Sequence, residues 1–191
     1  MIELNLKDIV FTADFSPVQM GQTENEVAKI LGEPPCGRDV YEHGSVIFYY
    51  SGYEFHFFDD ELHYFQNDSL KYDKPNHDGC ISFQNSHFKF HPGFVIPNKD
   101  ISMKEVISLL QNEKIDFSIE NQKVAGKDYR VGEVKFLQLS NGISMNFENK
   151  TTVFMRVDDQ EIVESKEIFF DDEMDFVLFA VRYEHWRVQE K

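Results

Sequence analysis

Apolar residues recur along this chain with two different periods, one typical of helices and one typical of strands. Val27, Ile30 and Leu31 stand at positions i, i+3 and i+4, which places them on one side of a helix. Residues 46–50 are mostly apolar and aromatic, and residues 53–57 alternate aromatic with polar side chains, as half-buried strands do. The pattern therefore predicts an α+β fold in which a helix is followed by antiparallel strands.

The first predicted helix has defined ends. Thr23 precedes it and Glu26 follows three residues later, the spacing of a capping box in which each side chain binds the other residue's backbone N–H. Gly32 suits the left-handed position that ends a helix, and the two prolines after it prevent continuation. The same cap spacing recurs at Ser102 and Glu105, which predicts a second helix.

The two helices belong to a predicted internal repeat, because matching residues share an offset of 79 positions. The matching pairs are Thr23 and Ser102, Glu26 and Glu105, Val27 and Val106, Leu31 and Leu110, and Phe15 and Phe94. We expect a single domain over 1–191, with repeat one at about 15–70, repeat two at about 94–157 and a C-terminal β-hairpin at about 166–186. The strands are predicted to form one antiparallel sheet with both helices on one face.

Turn residues divide the predicted strands. Ser51-Gly52 and Asp59-Asp60-Glu61 separate three strands in repeat one, and Asn141-Gly142, a strong hairpin signal, separates the first two in repeat two. The third strand of repeat two is predicted at 151–157, and Asp171-Asp172-Glu173 is predicted as the turn of the C-terminal hairpin.

The composition and net charge predict the cellular compartment of the protein and the kind of partner that it binds. The 191 residues include 28 aromatic residues, enough apolar surface for a folded core. Two cysteines do not make a disulfide framework, and the N-terminus lacks the features of a secretion signal, so we expect a cytoplasmic protein. The net charge of −15 disfavours nucleic acids and anionic membranes as partners and favours basic proteins. Only residues 71–150, with 10 acidic and 11 basic side chains, are close to neutral.

His77, Cys80, His87 and His91 carry side chains that bind zinc, with the spacing H-x2-C-x6-H-x3-H. Known structural zinc sites use tighter paired spacing, and His87 and His91 also fit the exposed face of an ordinary strand. We therefore predict that the protein needs neither a metal nor another cofactor, and keep a zinc enzyme as the third hypothesis.

Acidic side chains gather at three predicted turns, and none of these turns has the glycine and alternating oxygens of a calcium-binding loop. The chain also has no nucleophile motif and no phosphate-binding glycine loop, so we predict that it is not an enzyme.

Exposed turn acids can instead bind Lys and Arg of a partner, and exposed tyrosines can anchor that partner. The predicted partner-binding residues are Asp59, Asp60, Glu61, Asp171, Asp172, Glu173, Asp175, Tyr49, Tyr50 and Tyr53. The third acidic turn is Asp158-Asp159-Gln160-Glu161.

The segment from Gly21-Gln22-Thr23 to Leu31-Gly32-Glu33-Pro34, together with Phe55-His56-Phe57, resembles the repeat unit of β-lactamase-inhibitor-protein-like folds. This unit also occurs singly in small outer-membrane assembly lipoproteins. Two units in tandem are similar to the inhibitor arrangement, and the resemblance implies that the exposed face of the sheet binds another protein.

An acidic tandem protein of this kind also resembles the immunity proteins that bacteria keep beside their polymorphic or contact-dependent toxins. That resemblance implies a non-enzymatic inhibitor that covers the active site of a basic, nuclease-like toxin domain with acidic side chains. The alternative is a ligand-binding or structural scaffold, in which case the chain would form a homodimer through a sheet edge.

Overall fold

The computed structural model describes residues 1–72, 77–122, 134–157 and 162–184, and it has an α+β fold. The helices are α1 (Leu6–Thr12), α2 (Glu24–Leu31), α3 (His77–Ile81) and α4 (Met103–Asn112). The strands are β1 (Ile2–Asn5), β2 (Arg38–Val40), β3 (Val46–Tyr50), β4 (Tyr53–Phe58), β5 (Glu61–Asn67), β6 (Phe83–Gln84), β7 (Phe88–His91), β8 (Phe117–Gln122), β9 (Val134–Leu139), β10 (Ile143–Glu148), β11 (Lys150–Val157), β12 (Ile162–Phe169) and β13 (Val177–Glu184).

One large antiparallel sheet dominates the fold. Its eight strands are ordered β2-β3-β4-β5-β13-β10-β9-β8. A smaller three-stranded sheet pairs β1 with β7 in parallel and β7 with β6 in antiparallel orientation. Strands β11 and β12 form a separate two-stranded ribbon. The expectation of one purely antiparallel sheet was therefore correct for the eight strands and wrong for the other five.

Both predicted capping boxes are confirmed. At the start of α2, the Thr23 backbone N–H donates to Glu26 at 2.9 Å and the Glu26 N–H donates to the Thr23 hydroxyl at 3.3 Å. Ser102 and Glu105 repeat the arrangement at the start of α4, with distances of 2.8 and 3.3 Å. Each box satisfies backbone donors that have no partner within the first turn of a helix.

The strand predicted at 151–157 is present as β11, but its pairing, and the pairing of the predicted C-terminal hairpin, were predicted wrongly. β12 pairs with β11 along eight residues, whereas β13 is inserted in the large sheet between β5 and β10. Strands β11 and β12 therefore lie outside the large sheet, and β13 takes the place in it that was expected for 151–157. Sequence pattern fails here because the partner of a strand is chosen by long-range packing, not by the nearest turn.

The strand order has a symmetry that is compatible with the predicted repeat. Strands β2 to β5 fill one half of the large sheet, and β8, β9, β10 and β13 fill the other half in mirrored order. Each helix cap also meets the strand next to the centre, Thr23 at Glu61 in β5 and Ser102 at Val177 in β13. The repeat itself stays a prediction.

The core lies between the helices and one face of the large sheet, which we call the inner face. Val27 of α2 and Val106 of α4 belong to the same buried cluster as Phe55 and Met145 of the sheet. The three-stranded sheet joins this core, because Phe90 of β7 stacks on Tyr53 with ring centroids 3.8 Å apart. The face opposite the helices is called the outer face.

The outer face is partly exposed on β3 and β4 of the first half and buried on the central strands β10 and β13 of the second half. In the first half, Ile47 and His56 are partly exposed. In the second half, Ser144, Asn146 and Ala180 are buried although they point away from the core. In the half formed by β2 to β5, the outer face therefore presents an accessible surface to another molecule.

Candidate partner-binding surface

The first predicted acidic turn is present and fully exposed. Asp59 and Asp60 connect β4 to β5, and both have positive φ angles, 52° and 64°. Two consecutive left-handed residues define a type I′ turn, which fits the twist of paired strands but favours Asn and Gly over most residues. Asp adopts left-handed backbone angles more readily than most residues do. The two Asp residues of this turn also place two carboxylates at the end of the hairpin.

The turn lies against the beginning of α2. A carboxylate oxygen of Asp60 accepts a hydrogen bond from the Glu24 backbone N–H at 3.3 Å, and Thr23 forms a β-bridge with Glu61. Five carboxylates therefore meet at this end of the sheet, which we call the acidic end. Its members are Glu24, Glu26, Asp59, Asp60 and Glu61.

Few cations balance the acidic end. Arg38 lies 3.0 Å from Glu24, and His63 lies 3.7 Å from Glu61. The backbone N–H of Thr23, and after it the Thr23 hydroxyl, lower the pKa of Glu26, so this carboxylate stays charged in mildly acidic solution. The positive end of the α2 dipole partly offsets the repulsion among these carboxylates.

Exposed apolar side chains flank the acidic end. Val40 is 64% exposed, Tyr41 48% and Phe58 40%. The ladder Val40–Val46–Phe57 brings the β2–β3 turn beside the β4–β5 turn, so these side chains lie at the same end of the sheet. Apolar and aromatic side chains surrounded by charges are typical of protein-binding surfaces.

Sequence analysis missed these three residues, although a local signal existed for one of them. Phe58 follows Phe57, and neighbours in a strand face opposite ways, so the two rings cannot both be buried under the helices. No comparable signal marked Val40 or Tyr41, because β2 is a short edge strand whose exposure depends on its position in the sheet.

The second predicted acidic cluster lies at the opposite end of the sheet. Asp171 and Asp172 precede a 3-10 turn at Glu173–Asp175, and β13 begins at Val177. Strand β5 covers six residue steps from Glu61 to Asn67, and Asn67 pairs with Val181 of β13. From Val181, β13 extends four further steps away from Glu61, to Val177. At about 3.3 Å per step the two clusters are roughly 30 Å apart, so they do not form one site.

The carboxylates of the second cluster also have structural roles. Glu173 forms an ion pair with the buried Lys135 of β9. Asp172 accepts a hydrogen bond from the Met174 N–H at 2.9 Å and so caps the short turn. The remaining Asp171 and Asp175 are exposed. The third cluster, residues 158–161, lies outside the described residues.

Two of the three tyrosines predicted as exposed anchors are buried, which corrects that prediction. The Tyr50 hydroxyl donates to the Gly32 carbonyl at 2.6 Å, and the Tyr53 hydroxyl donates to the Ile81 carbonyl at 2.6 Å. Burial raises the pKa of both phenols, which keeps them as donors. Their rings face inward because they share the face of Phe48 and Phe55 in the alternating pattern.

Tyr49 points to the outer face and remains partly exposed. Its hydroxyl donates to Asp39 at 2.9 Å, and partial burial together with this carboxylate raises the pKa of the phenol. Tyr49 is therefore the one predicted tyrosine that a partner can reach.

A hydrogen-bonded polar network covers the outer face next to Tyr49. One oxygen of Glu54 contacts His56 Nε2 at 2.9 Å and accepts from Gln66 Nε2 at 2.6 Å, while the Tyr64 hydroxyl donates to Gln66 at 2.8 Å. Burial alone would raise the pKa of Glu54, but these hydrogen bonds and the charges of His56 and Arg182 lower it. These hydrogen bonds therefore fix the charged carboxylate of Glu54 within an ordered, polar part of the outer face.

The four zinc candidates do not converge. His77 is buried, accepts from the Asn98 backbone N–H at Nδ1 and donates from Nε2 to the Leu70 carbonyl, which makes it a structural histidine. His91 lies near Glu3, whereas His87 lies against Gly32 and Cys80 is in α3. In the described ranges, no group of three His, Cys, Asp or Glu side chains is placed to hold a metal ion.

The chain matches no model of a known protein family, no curated protein and no solved structure. Within the part of the chain that the structure describes, no helix has the length and apolarity needed to span a bilayer. Inferences about function therefore depend on the geometry of the surface itself.

Proposed function

We propose that this chain is a non-enzymatic inhibitor that binds a basic protein, and specifically a cytoplasmic immunity protein that neutralises a basic, nuclease-like toxin domain. One observation supports this proposal most directly. Five carboxylates at the acidic end adjoin the exposed apolar side chains of Val40, Tyr41 and Phe58. The carboxylates attract Lys and Arg from solution, and the apolar side chains supply surface that is buried on contact.

The conformation of the turn gives a second argument. Asp59 and Asp60 both adopt left-handed backbone angles, where Asn-Gly would be more favourable. Asp-Asp makes this turn less stable than Asn-Gly would and adds two charges. Such a departure from the most stable local sequence is expected where the charges have a function. The charge of −15 on the whole chain acts in the same direction by speeding the encounter with a cationic partner.

The proposed interface is centred on the acidic end and extends to Tyr49 on the outer face. A standard interface covers about 800 Å² on each partner. The cluster at 171–175 is roughly 30 Å away at the other end of the sheet, so it is a peripheral or separate contact rather than part of this centre.

The test is a capture experiment followed by charge reversal. The protein serves as bait in a lysate of its own source, and proteins that bind at low salt and elute at high salt are identified by mass spectrometry. The triple variant Asp59→Lys, Asp60→Lys, Glu61→Lys is then compared with Asp171→Lys, Asp172→Lys, Asp175→Lys. Both variants change the net charge equally, so a difference between them reports position.

We expect the first variant to slow association with the captured partner by tenfold or more, and the second to retain most of the rate. Equal losses would show that only the overall charge matters, and no loss in either variant would refute the site.

The alternative is a scaffold that forms a homodimer through a sheet edge. β8 is the last described strand of the large sheet, and its Ile119 is 49% exposed. An unpaired edge with an exposed apolar side chain can pair with a second copy. Sedimentation at twice the monomer mass, abolished by Ile119→Lys, together with no captured partner, would favour this alternative.

A further inference from the structure

A cleft of about 620 Å³ lies between α4 and the segment that precedes it. It is in the second half of the molecule, in the near-neutral stretch of the sequence, and shares no residue with the acidic end. Its volume is in the range of small-molecule sites, which are commonly 300–1,000 Å³.

The two walls of the cleft differ in chemistry. Phe94, Ile96 and Ile101 form a wall that is mostly apolar. The opposite wall is a stripe of α4 in which Lys104 and Ser108 are one turn apart, with Leu109 beside them. The Ser108 hydroxyl already donates to the Lys104 carbonyl at 2.9 Å, and the exposed Asn112 lines the C-terminal end of the stripe.

The apolar wall is held in place on both sides. The Asn98 backbone N–H donates to the buried His77 ring at 3.0 Å, and Asp100 accepts from the Tyr72 backbone N–H at 2.8 Å. At the other side, a Cβ on Gly93 would lie 2.5 Å from the Lys7 nitrogen, so this backbone packs too closely for a larger residue. The cleft is therefore preformed, which reduces the entropy lost when a ligand binds.

One cation at the cleft is available. Lys99 is paired with Glu105 at 3.0 Å, and Glu105 is also committed to the capping box. Lys104 is exposed, and no carboxylate among the residues that the structure describes lies within 4.0 Å of its ammonium group. A ligand that enters the cleft therefore meets an apolar wall and an unpaired positive charge.

We propose that this cleft binds an aliphatic carboxylate, a fatty-acid-like molecule with its chain along Phe94, Ile96 and Ile101 and its head group at Lys104. A peptide fits less well, because its backbone N–H and C=O groups would lie against an apolar wall without partners. The binding of this ligand is independent of the proposed inhibitor function, since the two surfaces share no residue.

The test uses a fluorescent probe, 11-(dansylamino)undecanoic acid, which brightens when its dansyl group leaves water. The full chain is titrated with the probe at physiological salt, and decanoate and decanol are compared as competitors. We expect saturable binding and displacement by decanoate at a concentration at least tenfold lower than decanol needs, because only decanoate carries the charge that Lys104 binds.

Lys104→Glu should weaken probe binding tenfold or more, and Leu109→Asp should abolish it. Lys104 is in the first turn of α4, where an acidic residue is favoured, so the substitution does not endanger folding. Lys29→Glu on the exposed side of α2 makes the same charge change away from the cleft and is the control.

The proposal would be overturned by the absence of a saturable signal, by equal effects of Lys104→Glu and Lys29→Glu, or by equal competition from decanol. A helical or extended acidic peptide that displaces the probe better than decanoate would also overturn it. Loss of toxin-like partner capture with intact probe binding would refute the proposed inhibitor function alone.

Discussion

Replacing Tyr50 by Phe removes one hydroxyl group from the core and leaves the ring in place. That hydroxyl is the donor to the Gly32 carbonyl, 2.6 Å away, just beyond the end of α2. Tyr50 and Gly32 are both buried, so water cannot easily replace the lost donor. The ring contacts with Phe55 and Phe88, at 5.7 and 5.3 Å between centroids, are retained.

The expected loss follows from the carbonyl that is left behind. A buried acceptor without a partner costs about 1–3 kcal/mol, more than the net value of the hydrogen bond itself. The neighbouring Leu31 carbonyl keeps its own donor, the Asn85 side chain at 2.9 Å, so the helix end is weakened rather than lost. For a chain of this length, 1 kcal/mol lowers Tm by about 2–4 °C, so a loss of about 1–3 kcal/mol predicts a decrease of about 2–12 °C.

Urea unfolding followed by circular dichroism, with thermal melts alongside, measures this difference. Tyr49→Phe is the matched control, because the Tyr49 hydroxyl binds Asp39 at the surface and its removal should change stability by less than about 0.5 kcal/mol. Equal stability of Tyr50→Phe and wild type would refute the structural role of Tyr50. Loss of partner binding in a stably folded Tyr50→Phe would restore its role as an anchor.

Three further predictions concern the turns and the pH dependence. Replacing Asp59 by Gly, which leaves the Asp60 acceptor of the Glu24 N–H in place, should stabilise the protein by about 0.5–1 kcal/mol in urea while slowing association with a basic partner; an unchanged or lower urea midpoint would contradict the cost assigned to a left-handed Asp. Gly52→Ala should destabilise by about 1–3 kcal/mol, because its Cβ would lie 2.3 Å from the Cys80 carbonyl, and wild-type stability would contradict that contact. Burial raises the pKa of Tyr53. The folding stability that the neutral phenol contributes is therefore intact below pH about 10, where the phenol of the unfolded chain is also neutral. Above that pH, this stability is lost by up to about 1.4 kcal/mol per pH unit. Urea midpoints from pH 8 to 11 should show this slope, and Tyr53→Phe should reduce it.

Features encoded within a few residues were predictable from the sequence. The Thr23–Glu26 capping box and the Asp59-Asp60 turn each depend on neighbours in the chain, and both are present. The pattern at 53–57 also contained the burial of Tyr53, since Tyr53 alternates with Glu54 in the same strand as Phe55. Strict use of the two-residue period would have excluded Tyr53 as a surface anchor.

Features that join distant segments were not predictable in this way. The parallel pairing of β1 with β7 connects residues that are 86 positions apart, as in Ile2 and Phe88. The position of β13 between β5 and β10 likewise depends on which apolar faces meet in the core, and the nearest turn favoured β12 instead. The cluster at the acidic end needed both kinds of information, because Asp60 reaches Glu24 only through the fold.

The central position of β13 has a consequence for the order in which the protein can be assembled during synthesis. Its eight residues, Val177–Glu184, join the two halves of the large sheet and are synthesised after the other seven strands of that sheet. Until then β5 and β10 each keep an open edge, and open edges recruit other strands. A nascent or truncated chain that stops before Val177 is therefore expected to pair with its own copies, and the addition of β13 prevents this by pairing with both edges.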